Sequence, residues 1–147
     1  MGISYQIHHD NKALYATADG PITLNDIRNH LFKERLENGL PYAELIDART
    51  ATPAFSSEEV RIIVTILRDF AKEHTLGPTA VVVGTDLGFG IIRMLEILVE
   101  DACAVRPFRD IDAALQWLRE ARLTSASNGR STAITGAHAR TDSSEKK

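Results

Sequence analysis

The sequence predicts an α/β domain built on a mostly parallel sheet, and three observations carry that prediction. Ala80-Val81-Val82-Val83 is an uninterrupted apolar run too short for a helix, hence a strand covered on both faces and central to its sheet. Ile91 to Val99 then turns the chain back as a helix with little polar surface, which completes half of a parallel βαβ unit. Elsewhere strand-like and helix-like runs alternate in the order strand, strand, helix, strand, helix, strand, helix, strand, helix. The expected architecture is a five-stranded sheet that begins with an antiparallel hairpin and carries four helices.

Taken in order, Ile3 to His9 and Ala13 to Ala18 are short strand patterns separated by Asp10-Asn11-Lys12, a spacing and composition that suit a hairpin. Gly20-Pro21 breaks the second strand. Thr23 and Asp26 resemble a capping box for a helix from Leu24 to about Glu37. On that helix Leu24, Ile27, Leu31 and Phe32 form the apolar face, and Asn25, Arg28, Asn29, Lys33 and Glu34 the wet one. Asn38-Gly39 and Pro41 end it. Tyr42 to Asp47 is the next strand, and Ala48 to Phe55 reads as a loop because Pro53 blocks regular hydrogen bonding.

Ser56 with Glu59 is a stronger capping box, and it opens a helix from Ser57 to about Glu73. Val60, Ile62, Ile63, Val64, Ile66, Leu67, Phe70 and Ala71 cover about half of its circumference. Gly84, Gly88 and Gly90 read as a turn that needs glycine's conformational freedom before the third helix. Arg93, Glu96 and Glu100 give that helix a narrow polar stripe. Ala104 to Phe108 is the last strand, placed at an edge by Pro107, and Asp110 opens a final helix through Ala113, Leu115, Trp117 and Leu118. The domain is expected to span 1–122. Residues 123–147, rich in Ser, Thr, Gly and Lys, read as a disordered tail.

Composition narrows the function classes. At 147 residues, 44% hydrophobic and 25% charged, the chain has the balance of one globular domain. A net charge of -3 supplies no basic field for a nucleic acid backbone. No run reaches the roughly 18 apolar residues of a membrane span, and the N-terminus lacks a secretory segment, so a cytoplasmic protein is expected. Cys103 is the single cysteine, which leaves no intrachain disulfide or thiolate cluster, and beside two alanines it reads as a buried, inert thiol.

The segments YAELIDAR, TAVVVGTDLGFGIIRM and VRPFRDIDAALQWL, set in this βα order, resemble the STAS/SEC14-like proteins related in fold to anti-sigma-factor antagonists. The resemblance covers about residues 3 to 120. It implies a βα superhelix, the fold also seen in lipid-carrying domains, and no settled activity. In the antagonists a phosphorylated serine or threonine lies in a D-S-S-G-like turn. The matching segment AFSSEEV keeps Ser56-Ser57 but replaces the glycine and adds two carboxylates, which would repel a phosphate that the helix N-terminus attracts.

Loops at the carboxyl ends of parallel strands collect at one rim, where ligands usually bind. That rim should hold Asp47, Arg49, Ser56, Ser57, Asp86, Gly88, Phe89 and Gly90. Asp47 and Arg49 read first as an ion pair. The glycine spacing matches neither dinucleotide nor P-loop patterns. His8-His9-Asp10 cannot chelate one ion because neighbouring strand side chains diverge, and neither His30 nor His74 has a partner at ligand spacing. No catalytic motif, cofactor or metal site is expected. What remains is a regulatory interaction module with an unknown protein partner, a carrier of a small apolar, lipid-like ligand between sheet and helices, or an unrecognised enzyme. The wide apolar arcs of the second and third helices also suggest a homodimer.

Because the tail offers no periodic apolar face, deleting residues 124–147 should leave the melting transition nearly unchanged in calorimetry. A loss of many degrees would mean that it docks on the domain.

Overall fold

The computed structural model describes residues 2–122; the tail read from the sequence lies outside them. Strands β1 (Gly2–His8), β2 (Ala13–Ile22), β3 (Ala43–Pro53), β4 (Thr79–Val83) and β5 (Val105–Phe108) form one sheet in the order β1-β2-β3-β4-β5. The β1–β2 pair is antiparallel and every other pair is parallel. Helices α1 (Leu24–Leu36), α2 (Ser57–Glu73) and α3 (Asp86–Leu98) supply the three crossovers, and α4 (111–122) follows β5. The expected α/β class, hairpin, five strands and four helices are all present.

Alternation along the strands decides which helix each face receives. Ile46, Val81, Val83 and Val105 meet Ile27 and Leu31 of α1, Ile63, Val64 and Leu67 of α2, and Ile92 and Leu95 of α3. Ala43, Leu45, Ala80 and Val82 point the other way, onto Ala114 and Leu118 of α4. Strand β4 is thus buried on both sides, as its composition requires, with Ala80 and Val82 entirely inaccessible. Pro107 stands on the edge strand β5. Trp117 is packing surface: its ring lies 5.8 Å from Phe108 and under the Arg106 guanidinium.

Three boundaries differ from expectation. Strand β2 does not stop at Gly20-Pro21, and Ala48 to Pro53 is strand rather than loop. The two segments extend together, pairing Gly20 with Ala51, Pro21 with Thr52 and Ile22 with Pro53 after a register shift between Thr17 and Asp19. The extra residue lies in β3, between Asp47 and Thr50, and Gly20 just beyond it on β2 has φ +71, a conformation that suits glycine. A proline removes only its own N–H, and here the neighbouring strand holds the rest of the ladder.

The third difference is α3, which begins at Asp86, so that Gly88, Phe89 and Gly90 form its opening turns. Thr85 is the N-cap, its hydroxyl accepting from the Gly88 amide at 3.0 Å. None of Gly84, Gly88 and Gly90 has a positive φ, so none is required for backbone freedom. Gly84 is instead required for space: a Cβ there would lie 2.3 Å from the Arg49 carbonyl oxygen.

These environments separate two substitutions. Gly84→Ala should destabilise the domain by about 1–3 kcal/mol, because backbone must move to admit the methyl. Gly90→Ala meets nothing within 4 Å inside a helix and should stabilise by about 0.5–1 kcal/mol. Denaturant titration of the two variants should move the midpoint in opposite directions.

Candidate functional site

Helix α1 carries its apolar stripe at Leu24, Ile27 and Leu31, and the same stripe continues to Glu34, with His30 one helical turn before it. Docking that stripe on the sheet therefore drives two ionisable side chains inward. Glu44 on β3 shares the face of Ile46 and Ala48 and meets them from below. His30, Glu34 and Glu44 are only 5%, 4% and 3% exposed.

The three converge on one atom. His30 Nε2 lies 2.6 Å from Glu44 Oε2 and 2.9 Å from Glu34 Oε1. A ring nitrogen carries one hydrogen, which goes to Glu44, and Glu34 Oε1 is left buried without a hydrogen bond. His30 Nδ1 is likewise buried and unpartnered, and the Tyr5 ring stands edge-on to the imidazole at 5.2 Å. Burial disfavours a charged imidazole, but the two carboxylates that face Nε2 outweigh it and raise the His30 pKa. Burial and then the nearby Glu44 charge raise that of Glu34, against the opposing pull of His30. Burial, followed by Glu37, pushes the Tyr5 phenol up to about 12.

His30 and Glu44 also line a cavity of about 170 Å³ between the sheet and α1, α2 and α3. Its remaining wall is almost wholly apolar. Ile46, Val81 and Val83 form the floor, Leu31, Ile63 and Leu67 one side, and Ile91, Ile92 and Leu95 the other. The extended ends of β2 and β3 contribute Ile22, Ala51, Thr52 and Pro53 to its wall, with Phe55 beyond them.

The expected rim is only partly assembled. Asp47 and Arg49 lie within β3 as a bidentate pair with both contacts at 2.9 Å, and the Arg49 guanidinium holds the Asp47 carboxyl below its ordinary range. Arg49 touches Gly84 through backbone, so these two loci are neighbours as anticipated. Asp86 is exposed and paired with Arg109 at 2.7 Å, and that guanidinium covers the Phe89 ring. Gly88 lines the cavity, while Gly90 faces open space. Ser56 is a cap: its hydroxyl accepts from the Glu59 amide at 3.1 Å, and Glu59 accepts from the Ser56 amide at 2.9 Å. Ser57, exposed, begins α2. The strand order never reverses, so the sheet has no topological switch point to open a crevice at this rim.

Two sequence assignments are overturned. Glu34 is not on the wet face of α1, and His30 does have a partner at ligand spacing, four residues on. The signal was the H-x-x-x-E spacing on the apolar stripe together with a glutamate inside a buried strand. His8 and His9 are engaged elsewhere, His8 edge-on to Tyr15 and His9 accepting or donating at Nδ1 with the Tyr42 hydroxyl. Cys103 is half-buried, and desolvation followed by the Asp101 charge pushes its thiol up to about 11.

No protein-family model matches the chain, and no curated protein matches it. Among solved structures it is similar to an uncharacterised protein of the DUF3478 family with a SpoIIAA-like fold from Shewanella loihica PV-4. The match has a TM-score of 0.55 and 20% identity, and covers 80% of this chain and 94% of that one. The chain therefore has a SpoIIAA-like, STAS-like fold, as the resemblance implied.

If Ser56 acts only as a cap, Ser56→Ala should cost about 1 kcal/mol and Ser56→Asp should restore most of it. Thermal denaturation of both variants reads this directly. Cys103, with its pKa raised to about 11, should hold roughly a hundredfold less thiolate than a free cysteine at pH 8. Iodoacetamide labelling of folded protein should be correspondingly slow and accelerate on denaturation.

Proposed function

We propose that this domain binds a small, mostly apolar molecule in the cavity between its sheet and α1, α2 and α3. The observation that carries this reading is the cavity itself, whose apolar wall is interrupted chiefly by His30 and Glu44. An apolar hollow offers no hydrogen bonds to water and favours an apolar occupant. Its size bounds that occupant. At about 170 Å³ it resembles cavities that take a single aromatic ring, and it is smaller than the roughly 300–1,000 Å³ of pockets for larger ligands. A ring or short alkyl chain with one polar end fits better than a full lipid chain, and the polar end belongs at His30 and Glu44.

The reading is of a sensor or carrier rather than an enzyme, since charged rim residues pair among themselves, Asp47 with Arg49 and Asp86 with Arg109. A second reading, a regulatory module acting through protein contacts, draws on the STAS-like fold and on apolar side chains left in solvent. Leu87 and Ile97 of α3 are 65% and 56% exposed, and Ile62 of α2 and Leu98 are also exposed. Self-association through that surface is the form of this reading that sedimentation velocity tests.

Titration with phenol and with toluene, followed by methyl NMR, should give saturable shifts confined to Ile46, Val81, Val83 and Ile92. Ala48→Phe, which fills the cavity from its floor, should abolish them while the fold persists by circular dichroism. Shifts scattered over the surface, or none at saturation, would reject the cavity as a ligand site.

A further inference from the structure

The His30, Glu34 and Glu44 cluster poses a question that ligand binding in the cavity does not answer. Both carboxylates approach the same imidazole nitrogen, yet one hydrogen can serve only one of them. The remaining oxygen, Glu34 Oε1, is sealed from solvent without a hydrogen bond, an arrangement that costs folding free energy. Among the described residues this is the group of His, Cys, Asp and Glu side chains placed to hold an ion, its donor atoms all within 4.8 Å of one another.

We infer that His30 Nε2, Glu34 and Glu44 bind one divalent transition-metal ion of the zinc type. An ion satisfies at once the three atoms that a single proton cannot. One imidazole nitrogen and two carboxylate oxygens are a donor set suited to zinc. Bonds of about 2.0–2.2 Å in a tetrahedron separate the donors by roughly 3.4 Å. The present contacts of 2.6 and 2.9 Å need therefore lengthen by only roughly 0.5–0.8 Å, within reach of small glutamate rotations.

The elements that carry the ligands favour a defined site. His30 and Glu34 are one turn apart on α1, a spacing that presents both to the same point, and Glu44 approaches from β3 in the sheet. Three protein ligands leave a fourth position free, the pattern of an ion that also binds water or substrate. Since His30 and Glu44 belong to the cavity wall, that position is available to the polar end of a cavity ligand. The metal site stands on its own geometry and does not require the cavity to be a ligand site.

The test uses the full chain and the metal alone. One equivalent of Zn²⁺ added to metal-free protein should shift the ring signals of a single histidine among the five, assigned to His30. Co²⁺ should give a visible absorption spectrum that saturates at one equivalent and is displaced by Zn²⁺. Glu34→Gln and Glu44→Gln should each weaken Zn²⁺ binding at least about tenfold, whereas the double variant His8→Gln/His9→Gln should leave it unchanged. Should a glutamate variant fail to fold, the histidine spectrum of the unaltered protein decides alone. Zn²⁺ shifts at His8, His9, His74 or His138 in place of His30, or no stoichiometric binding, would overturn the site and leave a proton-bridged cluster. Toluene binding with no metal present is a separate measurement, so failure of one reading leaves the other standing.

Discussion

A carboxylate in the middle of a parallel sheet is the constraint on which this domain's packing depends. Glu44 sits between Ala43 and Leu45 on β3, in a position that normally takes a branched apolar side chain, and it is almost wholly enclosed. A buried charge without a partner would cost more than a domain of this size can spare. His30 supplies the partner, and it can do so only with α1 set on the sheet in one rotation and at one height. The contact thus fixes the helix more narrowly than the oily stripe of Leu24, Ile27 and Leu31 would by itself.

The same arrangement is costly in a way that points to use. Replacing a buried ionic cluster by well-packed apolar residues is often neutral or stabilising, so such a cluster is weak evidence for stability. Here one carboxylate oxygen and one ring nitrogen remain without hydrogen bonds. Holding two glutamates against one histidine, at the wall of an otherwise apolar cavity, joins ionisable chemistry to a hollow that by itself offers only shape and hydrophobicity.

Why the hollow lies between the layers follows from topology. Successive crossovers through α1, α2 and α3 pass over one face, and each adds its strand beside the last. Such a sheet winds in one sense and never splits its connections to either side, so it has no topological switch point, and the hollow runs beneath the helices as far as Thr85 and Gly88 at the carboxyl end of β4. The rim's charged residues consequently find each other: Asp47 with Arg49, Asp86 with Arg109. Three helices must instead cover a five-stranded face whose β2–β3 pair runs well beyond the other strands, and they leave space beneath them.

What the chain determined locally can be read without coordinates. The Val-rich run of β4 needs two covered faces, and Thr23 with Asp26 and Ser56 with Glu59 mark helix starts because caps act over three residues. Periodicity placed α1 and α2 nearly to the residue. Tertiary structure decided what depends on distant partners. Gly20-Pro21 and Pro53 look like breaks, but each segment is held as strand by the other across the sheet. Gly84, Gly88 and Gly90 look like a turn, yet Thr85 caps a helix through them, and Gly84 is small because Arg49 passes against it. Glu34 is polar by composition and inside by position, since a helix buries whatever its stripe carries once the stripe docks. The spacing of His30 and Glu34 was legible in the order of residues, but that Glu44 meets them at one nitrogen was not, because the third member comes from another element.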